Sequence, residues 1–316
     1  MGSTGEFKRL VVTPEQVQAY QRDGFLVVED VLDAAEVAAL QRVTDEFVEQ
    51  SRKFTDHTKI YDLEPGHSAE QPRVRRIKMP HAHHPVYDAV MRHPRILAVV
   101  QALVHQAVRF DTSKLNLKSA GYGSAVEWHQ DWAFYPHTND DLAAVGVMID
   151  DMALANGPLL CIPGSHRGPV FDHHDGEGLF CGAMDPTTGE IDYSAAVPCV
   201  GRAGSISIHH VRTVHGSAVN TSDSQRRLLL FQYRAADAWP LMSRSQVGFD
   251  EWKSMLLSGE DDPISPRCTD VPVRLPLPVA QHQGSIYENQ RTLKNNYFGS
   301  AEAPKPANTG NVLSPG

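Results

Sequence analysis

The chain has 316 residues, Lys+Arg 29 against Asp+Glu 38 for a formal net charge of −9, with 41% hydrophobic and 21% charged residues. That is the composition of an ordinary globular protein, and it excludes a disordered or collagen-like chain. The acidic balance argues against a nucleic-acid partner, no apolar run reaches the length of a membrane span, and four scattered cysteines without a Cys-x-x-Cys point to reduced thiols in the cytoplasm.

Residues 1–12 read as a flexible N-terminus. Thr13-Pro14-Glu15-Gln16 predicts a helix start, with Thr as N-cap, Pro at the first helical position and Gln placed to close a capping box. Gly24 stops that helix before a short strand, Phe25–Val28. Asp33-Ala-Ala-Glu36 starts a second helix, with Val37, Leu40, Val43 and Phe47 on one face. Residues 54–72 are polar and long enough to be a lid. Arg73–Lys78 alternates as a strand with a basic face that could meet an anionic substrate. His81, His83 and His84 sit between prolines that spoil any shared aim. Pro94–His105 is a helix; Val108–Phe110 and Lys114–Lys118 are strands. Ala143–Ile149 and Leu159–Ile162 read as buried strands, and the acidic, Gly-rich residues 167–200 form a second lid candidate. Ile206–His209, Val211–Val214 and Leu228–Arg234 return as strands, Phe249–Leu257 as a helix. With no internal repeat, residues 13–300 are expected to form a single domain with its core at about 108–236, followed by a disordered tail at 301–316.

Two stretches carry the chemistry. Val126–Tyr135 holds His129 and Asp131, which on a strand would project to one face and offer an imidazole and a carboxylate to one point. Thr213–Arg227 holds a third group. His209, His210 and His215 are all available, but only His215 leads through the turn-rich Asn220–Ser224 into an apolar strand. Read as a hairpin, that segment puts His215 opposite Arg226 and turns Arg227 to the other face. A 2-His-1-carboxylate triad of His129, Asp131 and His215 suits Fe(II) with open positions, and Arg226 could clasp a carboxylate bidentately. His129 and Asp131 also fit a packed, hydrogen-bonded core pair. A rival, His173-His174-Asp175, lies among glycines and acidic residues and reads as a solvated loop. Trp132, Phe134, Tyr135 and Phe110 are candidates for a substrate wall.

His129-x-Asp131, then His215-Gly-Ser-x-x-Asn220 with Arg226 eleven residues past the histidine, resembles the phytanoyl-CoA dioxygenase family. Asn156-Gly-Pro-Leu159, Pro163-Gly-Ser-His166 and Gln21-Arg-Asp-Gly24-Phe25 strengthen the likeness. The resemblance spans about Val11 to Ala236. It implies a mainly β fold with flanking helices and a double-stranded β-helix (jelly-roll, cupin-like) core. It also implies Fe(II), 2-oxoglutarate and O2, and hydroxylation of an unactivated C–H of a small molecule with release of succinate. Ser217 and Asn116 become candidates to touch 2-oxoglutarate. Two other readings keep the barrel: a metal-dependent hydrolase or isomerase using metal-bound water, and a non-catalytic ligand-binding barrel. Substrate, regiochemistry and oligomeric state are not legible in the residues.

Overall fold

The computed structural model describes residues 12–242, 248–260, 266–279 and 286–299. The expected flexible start, Val12 apart, and the expected tail at 301–316 lie outside them. In chain order the elements are α1 (Pro14–Asp23), β1 (Phe25–Val28), α2 (Ala34–Ser51), β2 (Tyr61–Leu63), β3 (Val74–Lys78), α3 (Pro85–Met91), α4 (Pro94–Leu103), β4 (Val108–Lys118), β5 (Val126–His129), β6 (Leu142–Met148), β7 (Leu159–Cys161), β8 (Val197–Cys199), β9 (Ile206–His210), β10 (His215–Ser217), β11 (Arg226–Ala235), α5 (Phe249–Ser254), β12 (Leu256–Ser258) and α6 (Ile286–Asn289).

Both helix starts close as reciprocal caps. Thr13 Oγ1 accepts from the Gln16 amide while Gln16 Oε1 accepts from Thr13 N–H, and Asp33 and Glu36 repeat the exchange on α2. α1 ends at Gly24, whose φ of 83° lies in the left-handed region that costs a glycine least.

The strands form two antiparallel sheets. The larger runs β1-β9-β6-β11-β4-β3-β2, with β12 also on β4; the smaller runs β5-β10-β7-β8. Alternation on β11 shows how the layers stack. Leu229, Phe231 and Tyr233 face one way into a core with Leu40, Val43, Tyr87, Ile96 and Val100 of the helices. Leu228 and Leu230 face the other way, beside Ala144 and Met148 of β6. Burying a side chain such as Leu229 or Phe231 contributes about 1.5–3 kcal/mol, so the helices clamp one face of the large sheet. The small sheet covers part of the other. The fold is a jelly roll with helices packed on its outside.

The strand pattern departs from expectation in six places. β4 is one strand, because an irregularity opposite Gln232 and Tyr233 absorbs the break expected between Phe110 and Lys114. Val211–Val214 is a turn rather than a strand, and pairing resumes at His215. Residues 54–72 contain β2, residues 167–200 contain β8, and Leu256–Ser258 adds β12 against β4 instead of extending the helix. Finally, β10 and β11 do not form a hairpin. β10 pairs with β5 and β7 in the small sheet, while β11 pairs with β4 and β6 in the large one.

Candidate active site

His129 and His215 stand directly opposite one another on β5 and β10, and cross-strand partners share a face. Their rings lie 4.1 Å apart between centroids. Each Nδ1–H donates to the carbonyl two residues back, Glu127 O and Thr213 O, both at 2.8 Å. A carbonyl can only accept, so each imidazole presents a bare Nε2 to the interior. Asp131 reaches the same point by a different route from the one expected. β5 ends at His129, and Asp131 opens a tight helical turn, Asp131–Ala133, so turn geometry rather than strand alternation aims its carboxylate.

One ligand atom from each of the three residues falls within 4.8 Å of the others, and all three side chains are buried. Asp131 Oδ1 is buried with no hydrogen-bond partner, which is the state of an oxygen awaiting a cation. Protonation states agree. Burial pushes His129 down to about 4 and His215 well below the usual imidazole range, so both rings are neutral. For Asp131 burial works upward, but Lys114 and the hydrogen bond from His209 outweigh it and hold the carboxyl ionised. Two neutral imidazoles and one carboxylate, with a free face between them, fit Fe(II).

Outer groups fix this arrangement. His209 Nε2–H donates to Asp131 Oδ2 at 3.3 Å. The Gln130 amide, between His129 and Asp131, donates to His173 Nε2 at 2.8 Å, and the Gln130 side chain bonds Pro169 O, Arg212 O and Phe171 N. His173 is therefore buried, not part of a solvated loop. Burial holds its pKa down at about 3, leaving Nε2 free to accept. No spacing rule finds it, because its partner is a backbone amide 43 residues away.

A cavity of about 40 Å³ adjoins the triad, lined among others by Asn116, Ser217, Arg226, Leu228 and Ile286. Arg226 lies opposite Lys118 on β4, buried, with Nε and Nη2 donating to Gly157 O at 3.0 and 2.6 Å. Gly157 has a φ of 70°, and a Cβ there would sit 2.4 Å from Ala218 O, so only glycine brings that carbonyl to the guanidinium. Lys118 Nζ donates to Ser217 Oγ at 2.8 Å and to the Ala218 carbonyl. Neither cation has an ion-pair partner among the described residues. Burial lowers Arg226 to about 10, and burial with the neighbouring Arg226 charge drives Lys118 down as well. A buried guanidinium without a carboxylate, beside a lysine whose charged form burial disfavours, marks a place for an anionic ligand. Asn116 Oδ1 is also buried and unpartnered.

Arg227 takes the opposite face. It is bidentate to Asp150 at 2.8 and 2.6 Å and reaches Asp45 at 2.7 Å. The assignment of faces matches expectation, although the hairpin invoked for it does not exist. The expected basic face on β3 is neutralised: Arg76 and Lys78 both pair with Asp62, and Arg75 with Glu288. Of the proposed wall, Phe134 stands edge-on to His129 at 5.8 Å. Phe110 packs in the helix-side core and Trp132 beside Leu142 and Val211, away from the cavity. Neither loop expected as a lid lines the cavity; among the described residues, its wall beyond the strands and the Asp131 turn comes from Ile286 of α6.

The chain matches the family described as phytanoyl-CoA dioxygenase over residues 20–228. It is 34% identical over 294 residues to a probable alpha-ketoglutarate-dependent hypophosphite dioxygenase of Stutzerimonas stutzeri, covering 90% of this chain and 99% of the relative. An ectoine dioxygenase of Bordetella parapertussis is 28% identical, covering 72% and 76%. Among solved structures, EctD from S. alaskensis with 2-oxoglutarate and 5-hydroxyectoine superposes with a TM-score of 0.61 at 25% identity, covering 82% of this chain and 87% of that one. With relatives of this kind, the hydrolase, isomerase and non-catalytic readings fall away.

Proposed function

We propose, for a chain that belongs to the phytanoyl-CoA dioxygenase family and is a non-haem iron, 2-oxoglutarate-dependent dioxygenase, that His129, Asp131 and His215 hold Fe(II) and that Arg226 holds the far carboxylate of 2-oxoglutarate. The observation that carries this reading is convergence from two sheets: the three ligand atoms lie within 4.8 Å, and the buried guanidinium shares their cavity.

Bound iron supplies the activation of O2, coupled to loss of CO2 from 2-oxoglutarate, so that one oxygen atom ends in succinate and the other in the substrate. The protein does the rest. Glu127 and Thr213 carbonyls lock the two imidazoles, and His209 fixes one oxygen of Asp131 so the other is left for metal. Gly157 O aims Arg226, and Ser217, held by Lys118, stands beside it as a hydroxyl for the same carboxylate. Asn116 is placed to meet the co-substrate from β4. Apolar Leu228, Leu230 and Ile286 exclude water from the reacting centre.

The substrate is a small molecule. Because the likeness to the hypophosphite dioxygenase runs the length of both chains, the reaction extends in this proposal from C–H to P–H hydroxylation, with hypophosphite as the first compound to test and ectoine the second. Its three buried cysteines are free thiols, and no described helix is long and apolar enough to cross a membrane; both support work in the reducing cytoplasm. The test follows succinate from the iron-loaded enzyme with each compound. A true substrate should raise succinate well above the substrate-free rate, mole for mole with product. Failure to consume 2-oxoglutarate under any condition would contradict the reading.

A further inference from the structure

β4 turns two polar side chains to the cavity, Lys114 and Asn116, and holds Lys118 behind Ser217. Asn116 and Lys118 sit at the Arg226 end. Lys114 sits at the other end, opposite Leu230, with its ammonium 3.9 Å from Asp131 Oδ1. That separation is too long for a hydrogen bond, and Lys114 makes none among the described residues. Its side chain is 22% exposed, and Asp131 is the one carboxylate paired with it among the described residues. One diagonal step along the same face lies Gln232, opposite Thr112, whose amide nitrogen is buried and also unpartnered.

Of the charged groups lining the cavity, Lys114 and Arg226 are cations and Asp131 is the anion. Fe(II) adds two positive charges and 2-oxoglutarate two negative ones. Asp131 is then engaged by metal and the far carboxylate by Arg226, so the Lys114 ammonium, whose one anionic neighbour in the cavity lining is Asp131 at 3.9 Å, is the charged group left to meet a further anion.

We infer that Lys114 is the specificity-determining group of this enzyme and that the substrate class is a compact monoanion, held by the Lys114 ammonium beside the iron with Gln232 as a second donor. The inference rests on the iron and 2-oxoglutarate reading above. The aliphatic walls of Leu228 and Leu230 and the small cavity set an upper limit on size, so recognition comes from charge rather than from a long apolar contact.

Matched pairs of probes test it: formate against formamide, and acetate against acetamide, titrated anaerobically into the Fe(II)- and 2-oxoglutarate-loaded enzyme while its visible charge-transfer band is followed. In the wild type each anion should bind about 10–100-fold more tightly than its neutral partner, the range for a hydrogen bond to a charged group. Lys114→Met, which keeps the length and loses the charge, should erase that preference when assayed at Fe(II) that saturates the variant, while 2-oxoglutarate affinity stays at the wild-type value; Lys114→Arg should restore part of it. Absence of any anion preference in the wild type overturns the inference. So does a Lys114→Met protein whose main defect is in 2-oxoglutarate binding, which would assign the ammonium to the co-substrate. If the loaded wild type shows no band at all, the prior reading fails instead, and the two failures are separable.

Discussion

His215→Ala should leave a folded protein that no longer retains iron. Its Nε2 is one of three ligand atoms within 4.8 Å, and removing it deletes a coordinate bond. Loss of an outer partner costs about 10–100-fold in metal affinity, and loss of a ligand itself should exceed that. His210, a neighbour weighed for the same role, provides the comparison. Its Nδ1 accepts from Arg212 N–H at 3.1 Å and its ring packs on His166, outside the cavity, so His210→Ala should keep iron. Between these extremes, His173→Ala should weaken iron without abolishing it, because it frees the Gln130 amide that holds the two ligands in place. Iron content after gel filtration ranks the three. Equal retention by His215→Ala and His210→Ala would mean that the ligand set is wrong.

Arg226→Ala should raise the apparent 2-oxoglutarate constant by about one and a half to three orders of magnitude while iron binding survives. A charge-assisted contact to a carboxylate in a partly dry pocket contributes about 2–4 kcal/mol, and no metal ligand is touched. Arg227→Ala should do the reverse. Its guanidinium is buried against Asp150 and also pairs with Asp45. Removing it leaves Asp150 without its cation, at a cost of about 2–3 kcal/mol of stability, below the full buried-pair figure because Asp45 is exposed. That is more than sequence alone would assign to a strand-edge arginine. Thermal unfolding and 2-oxoglutarate titration of both variants separate the roles: a large 2-oxoglutarate defect in Arg227→Ala, or none in Arg226→Ala, would contradict the assignment.

What the sequence revealed, and what it hid, divides along a physical line. Caps and periodicity are local, so Thr13–Gln16, Asp33–Glu36 and the apolar stripe of α2 could be read directly. The triad residues could be singled out because ligand chemistry restricts them to a few residue types, and a family pattern fixes their order. Connectivity between sheets is not local. His215 and Arg226 look like hairpin partners, yet they belong to facing sheets, and the same inward aim results because jelly-roll sheets share one interior. Asp131 likewise reaches the point between His129 and His215 from a turn. Lys114 and Lys118 left a signal that could have been used: two lysines at alternate positions of a strand whose other positions are Leu115 and Leu117. A buried strand tolerates such groups only where a hydrogen-bonding partner, a counter-charge or a ligand meets them. His173 left none, since its hydrogen-bond partner is a backbone amide.

The most direct test of the central claim is an anaerobic optical titration of the purified protein with Fe(II) and then 2-oxoglutarate. One equivalent of each should produce a weak visible charge-transfer band, with the band absent in His215→Ala and displaced to much higher 2-oxoglutarate in Arg226→Ala. A wild-type protein that binds Fe(II) stoichiometrically and develops no band with excess 2-oxoglutarate would contradict the placement of iron and co-substrate in this cavity.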